Sequence, residues 1–246
     1  MLHIDLNCDL GEGAGRDAEL MPLITSANIA CGAHAGDEAT MRATVALALQ
    51  HGVAIGAHPG FADRENFGRR ELALTSKEVH ALVLRQIHEL QAIVRPAGAR
   101  LAHVKPHGAL YTMSARDAGL AGAIAAAIYE ADPRLVLVGL AGSRLIEAGV
   151  AAGLSTASEV FADRTYQVDG SLTPRDRPDA LITDANVAVA QVLRTVRDGT
   201  VRATDGSEVM IKADTVCLHG DGPHAVEFAR AVRQGLAAAG IEVRRI

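Results

Sequence analysis

Short apolar runs that end in polar clusters recur along the chain, and an amphipathic helical stretch separates most successive runs. The runs are HIDLNCD at the start, ANIACGAH (27–34), VAIGAHPG (53–60), LAHVKPHG (101–108), RLVLVGLAG (134–142), STASEVFADR (155–164) and TVCLHGD (215–221). Between them, helices are expected over 38–50, 76–94, 115–129, 143–152, 184–197 and 224–239. Such an alternation specifies β/α units and a parallel sheet. Thr75 with Glu78 forms a capping-box pattern, Asp37 is placed as an N-cap, and Gly52, Gly153, Gly199 and Gly240 stand where helices should stop. TVRATDGSEVMIKA predicts a hairpin turning at Asp205-Gly206.

Side-chain parity separates an open sheet from a closed barrel, because alternate residues of a strand share a face. One parity carries Asp5, Asn7 and Asp9; Asn28, Ala30, Gly32 and His34; Ala54, Gly56 and His58; His103, Lys105 and His107; and Cys217, His219 and Asp221. The other carries Ile4, Leu6 and Cys8, then Ile29, Val53, Ile55, Val104, Val216 and Leu218. An open sheet covered by helices is apolar on both faces, whereas a barrel turns one parity inward. The expected fold is therefore α/β, a TIM-barrel-like domain of about seven parallel strands spanning 1–246. The fifth run, apolar at both parities, should contribute least to a site.

The polar clusters all fall at the C-terminal ends of the runs, where β/α proteins place their chemistry. Acids, imidazoles and a cation gathered there suit general acid–base catalysis beside charge stabilisation. One buried ionisable group is usually a structural ion pair, but concentrating many at one rim adds desolvation cost without helping folding. The catalytic candidates are Asp9, His58, Lys105, His107, Glu159 and Asp221. The substrate-binding candidates are Asn7, His34, Arg69, Arg70, Asp163, Arg164 and His219. Asp5, deeper on the first strand, is expected to orient its neighbours. His3 and His103 begin their strands, too deep for chemistry.

Composition narrows the partners. With 24 basic and 29 acidic residues the net charge is −5, which opposes wrapping of nucleic acid. Cys8, Cys31 and Cys217 are widely spaced and form no C-x-x-C, so no disulfide framework or thiolate zinc site is indicated and a cytoplasmic setting is expected. No run is long enough to cross a membrane. Imidazoles with carboxylates can ligate Zn or Mn, but no H-E-x-x-H spacing occurs, and a metal stays an open question. Gly11, Gly13 and Gly15 surround an acid, Glu12, and G-x-x-x-x-G-K-[ST] is absent, so a flexible rim loop is favoured over a phosphate loop. The stretch HPGFADRENFGRRELALT reads either as a lid whose arginines suit an anionic substrate or as a solvated surface loop. No Trp is present and aromatics make up 3%, so the substrate is expected to be small and polar.

Taken together, IDLNCDLGEG, ANIACGAHAGD, GAHPGFADRENFGRR, VKPHGALY, EVFADRTY with DGSLTPR, and CLHGD resemble the signature blocks of the LamB/YcsF family. The resemblance spans nearly the whole chain. It implies a glycoside hydrolase/deacetylase-type seven-stranded barrel. It also implies 5-oxoprolinase activity, the ATP-dependent opening of 5-oxo-L-proline to L-glutamate performed with separate subunits B and C. The ATP site would then lie on, or be shared with, those partners. Ala33 departs from the larger aromatic expected in the second block, a change expected to reshape the pocket wall. Two other readings stay open from the residues: a self-sufficient metal-dependent amidohydrolase or deacetylase, and a non-catalytic scaffold or sensor.

Overall fold

The computed structural model describes residues 2–219, 222 and 225–246. Among them, seven parallel strands close into a barrel: β1 (His3–Leu10), β2 (Ser26–Ala30), β3 (Ala54–His58), β4 (His103–Val104), β5 (Val136–Leu140), β6 (Thr156–Phe161) and β9 (Thr215–Leu218). Closure comes from β9, which pairs with β6 on one side and β1 on the other. Between β6 and β9 lies the expected hairpin, β7 (Thr200–Arg202) with β8 (Glu208–Met210), antiparallel as its turn requires. A short β10 (Glu242–Val243) adds to the start of β1 outside the ring.

The parity argument holds in three dimensions. Ile4, Leu6, Ile29, Val104, Val216 and Leu218 are buried in the apolar core. The opposite parity meets across the lumen: Asn7 Nδ2 donates to Glu159 Oε1 at 2.9 Å and to Thr215 Oγ1 at 2.7 Å, so β1 touches β6 and β9. Asn28 Nδ2 donates to Asn7 Oδ1, and its own Oδ1 lies 2.7 Å from His103 Nε2. Gly56 leaves room for that imidazole, since a Cβ there would fall 2.0 Å from it. Asp5 accepts from Thr25, Ser26 and Thr215, a buried carboxylate satisfied by hydroxyls at the barrel base.

Around the barrel run α1 (Asp17–Leu20), α2 (Glu38–His51), α3 (Ser76–Val94), α4 (Gly108–Ser114), α5 (Ala118–Ala131), α6 (Arg144–Ala151), α7 (Ala185–Asp198) and α8 (Ala225–Ala238). Thr75 and Glu78 form the full capping box of α3, and Asp37 caps α2 by accepting from Thr40 N. Gly52 and Gly199 end α2 and α7 in the left-handed region. The helix expected over 115–129 instead begins at Ala118, because Asp117 accepts from the amides of Gly119 and Leu120, and α4 occupies the preceding turn.

Except for β1, which runs on to Leu10, the strands stop short of the C-terminal ends of their apolar runs. β2 stops at Ala30, before Gly32 turns the chain at φ +82°, so His34 sits on a loop. β4 stops at Val104, two residues before Pro106, which has no amide to donate. Asp163 and Arg164 follow β6, and His219 follows β9. The site is therefore built on short, anchored strand extensions.

Candidate active site

The C-terminal mouth holds a cavity of about 290 Å³. Its wall includes Asp9, His58, Lys105, His107, Arg164 and His219, together with Arg69 from the loop after β3. Lys105 is buried at the floor, with Nζ 2.8 Å from Glu159 Oε1, 3.0 Å from Asp9 Oδ1, 3.1 Å from Cys217 Sγ and 3.3 Å from Asn7 Oδ1. An ammonium has three protons to give, and these four neighbours take all of them. Lys105 thus ties two carboxyl groups, of Asp9 and Glu159, to one ammonium. Burial works against its charge, but Asp9, Cys217 and Glu159 together outweigh that and hold its pKa well above the ordinary lysine value.

Asp9 is tied at Oδ1 by Asn28 and Lys105, while Oδ2 lies 3.4 Å from His58 Nε2. Burial pushes this carboxyl up, yet His58 and then Lys105 prevail and keep it well below the usual carboxylate range. His58 is raised in turn, its burial outweighed by Asp9. On the other ring nitrogen, His58 Nδ1 is 2.7 Å from Lys105 O, and His107 Nε2 is 2.9 Å from Phe67 O. Carbonyls only accept, so both of these nitrogens carry protons. Phe67 reaches this position at φ +54°, an uncommon conformation for a bulky residue and one found where geometry is functionally constrained.

On the opposite side, His219 Nδ1 lies 2.8 Å from Asp163 Oδ2 and its Nε2 lies 2.8 Å from Arg175. An arginine only donates, so Nε2 accepts and Nδ1–H points at Asp163. The imidazole stacks on Phe161 at 5.6 Å. Burial raises the Asp163 carboxyl, but His219 outweighs this and leaves it below its usual value. Arg164 donates to Thr173 O and Ala180 O, and burial, then Arg175, lowers its pKa to about 10. Tyr166, fully buried, receives the amide of Phe161 on its hydroxyl and anchors the 162–184 segment that carries Thr173 and Arg175 to the rim.

The structure sorts the sequence candidates by depth. Asn7 and Glu159 lie beneath the floor and act on Lys105, Asp163 stands behind His219, and His34 stands behind the wall. Arg70 is exposed and does not line the cavity. Asp221 lies outside the described residues. Ala33 lines a separate surface depression with Met41 and Arg64, so it does not shape this wall. The wall residues outside the sequence candidates include Glu12, Tyr111, Phe161 and Arg175. The signal for Glu12 was an acid between two glycines; Gly11 (φ +71°) and Gly13 (φ +84°) turn the loop and bring its carboxylate over the imidazoles.

Among the described residues, two groups of side chains able to ligate a metal converge here: Glu12, His34, His58 and His107, and Asp9, Cys217 and His219. The second already surrounds a cation, since Lys105 Nζ contacts both Asp9 and Cys217. The first has no lysine or arginine contact of that kind among the described residues.

Fold and site define a seven-stranded β/α-barrel protein with acid–base groups and imidazoles converging at its C-terminal mouth. The sequence model of the LamB/YcsF family matches residues 4–246, and the chain belongs to that family. It is 58% identical over 248 residues to a Geobacillus kaustophilus protein described as the A-subunit of 5-oxoprolinase, covering 99% of this chain and 97% of that one. The Bacillus subtilis protein of the same description is 54% identical over 251 residues, covering 100% and 98%. Among solved structures, the lactam utilization protein from Thermus thermophilus superimposes with a TM-score of 0.94 at 49% identity, over 100% of both chains. A family 4 carbohydrate esterase from Streptomyces lividans, at TM-score 0.51 and 12% identity over 100% and 93%, shares the fold alone.

Proposed function

We propose that the chain is the component of a 5-oxoprolinase in whose barrel mouth 5-oxo-L-proline is opened to L-glutamate, with ATP hydrolysis and with subunits B and C as partners. The observation that carries this reading is a small cavity with an Asp–His pair on each side, at Asp9–His58 and at Asp163–His219, beside the cations Arg164 and Arg175. A five-membered lactam with one carboxylate is of the size such a space takes. Full-length identity to relatives described as 5-oxoprolinase A-subunits supports the choice of substrate.

In this reading the substrate carboxylate lies against Arg164 and Arg175. The amide is resonance-stabilised, so its oxygen is first phosphorylated by ATP. Water then adds to the ring carbon as His219 Nε2, freed when Arg175 turns from it to the substrate carboxylate, accepts its proton, with Asp163 holding the imidazole. The carbon–nitrogen bond breaks as the ring nitrogen takes a proton, which leaves γ-glutamyl phosphate, and a second water hydrolyses that acyl phosphate to glutamate and phosphate. The products are glutamate, ADP and phosphate. The lack of phosphate-loop spacing in the chain supports a nucleotide site that is unconventional, or that lies on or is shared with the partner subunits.

His219→Gln and Asp163→Asn in the reconstituted complex should each lower kcat by at least about 100-fold while the complex still assembles. Undiminished turnover in both would remove His219 as the base. Undiminished turnover with weakened partner binding would favour a scaffold role for this chain.

A further inference from the structure

Four potential donor atoms face one another at one side of the cavity. Glu12 Oε1 lies 3.2 Å from His34 Nε2, 3.3 Å from His107 Nδ1 and 3.9 Å from His58 Nε2. His58 Nε2 and His107 Nδ1 are 3.0 Å apart, and all four atoms fall within 4.8 Å of one another. Four ligands at roughly 2.0–2.1 Å from a tetrahedral zinc ion stand about 3.3 Å apart along each edge. The observed spacing brackets that edge.

Protons do not explain the arrangement as well. The outer nitrogens of His58 and His107 give their protons to Lys105 O and Phe67 O, so in neutral rings the facing nitrogens are both bare lone pairs. Two lone pairs and a carboxylate then point into one buried space, which is unfavourable without a positive species between them. The proton that Asp9 favours on His58 Nε2 is one such species, but a single proton satisfies only one of those contacts directly. A cation at the centre satisfies all of them.

The surroundings hold the donors in place without filling their centre. The imidazoles of His34 and His107 stack at 3.7 Å and 4°. Gly60 and Gly68 press on them so closely that a Cβ at either would fall 2.8 Å from His34. Gln86 of α3 clamps Gly60 through both its amide and its carbonyl. Arg64 holds the His34 loop by donating to Gly32 O and Gly36 O. Carbonyl partners on the non-ligating nitrogens of two imidazoles are the outer contacts that orient histidine ligands.

We infer that Glu12 Oε1, His34 Nε2, His58 Nε2 and His107 Nδ1 form a binding site for a divalent first-row transition metal of the zinc class. Three imidazoles and one carboxylate suit zinc, cobalt(II) or manganese better than magnesium or calcium. Glu12, His58 and His107 also line the cavity, so the site opens toward the proposed substrate. A metal there would supply Lewis acidity beside the lactam carbonyl. Binding itself does not depend on the lactam reading.

The test is titration of the full chain, stripped by chelator, with cobalt(II), following its visible d–d bands, with zinc as competitor. One cobalt per chain, displaced by zinc, is expected. Glu12→Gln, His34→Gln and His107→Gln should each weaken binding by more than about 100-fold, beyond the roughly 10–100-fold cost of losing an outer contact. His80→Gln, at a surface ion pair with Glu130, should bind as the parent does. Circular dichroism checks that each variant is folded, and a zinc-induced rise in the parent's Tm gives a second reading that needs no variant. The inference is overturned if the parent takes up no stoichiometric metal and shows no Tm shift, if folded ligand variants bind undiminished, or if binding is lost in His219→Gln instead.

Discussion

His103 shows what a single lumen residue contributes. Its burial, and then Lys105, push its pKa down to about 3 from the ordinary 6.5, so it is neutral in the folded barrel. Below pH 6.5 the unfolded chain takes up a proton that the folded chain refuses. The stability His103 contributes is therefore complete above pH 6.5 and falls as pH drops toward 3, by about 1.4 kcal/mol per pH unit. His103→Gln should flatten the stability curve between pH 6.5 and 4 by that slope, measured by urea unfolding at several pH values. Parallel curves for parent and variant would contradict the assignment. The depth of His103, at the start of its strand, was readable from its position in LAHVKPHG. Its partner, Asn28 Oδ1 on another strand, was not, because a contact across a lumen depends on strand stagger rather than on local pattern.

At the scale of elements, the strands were legible because parity alternates in all but the fifth run, and the helices because caps such as Thr75–Glu78 are local chemistry. The ends of β2, β4, β6 and β9 were less so. Apolar and small residues continue past the last ladder bond, where Gly32 or Pro106 redirects the chain. The residues missed at the site come from the loop after β1 (Glu12), from α4 (Tyr111), from the last position of β6 (Phe161) and from the 162–184 segment (Arg175), whose conformation rests on long-range bonds such as Tyr166 to Phe161. α3 illustrates such a bond at work: Gln86, fully buried, serves both backbone groups of Gly60. Gln86→Leu leaves both unpaired and should cost about 1–3 kcal/mol in unfolding free energy. A change within about 0.5 kcal/mol, the range of a neutral surface substitution, would show that the clamp is dispensable.

Across the whole molecule, barrel closure by β9 brings residues from opposite ends of the chain together: Lys105 meets Asp9 of β1, Glu159 of β6 and Cys217 of β9. Removing Lys105 would leave two buried carboxylates without their cation, a loss of about 3–5 kcal/mol by comparison with other broken buried pairs. The closed barrel with a polar lumen followed from parity alone, whereas the lactam substrate came only through family resemblance. No helix among the described residues is long and apolar enough to cross a membrane. The central claim is that this barrel opens the lactam only with ATP and its partner subunits. Its most direct test is conversion of labelled 5-oxo-L-proline to glutamate with the chain, the partners and ATP each omitted in turn. The account predicts glutamate only in the complete mixture. Glutamate from the chain alone without ATP, or from the partners and ATP at full rate without the chain, would contradict it.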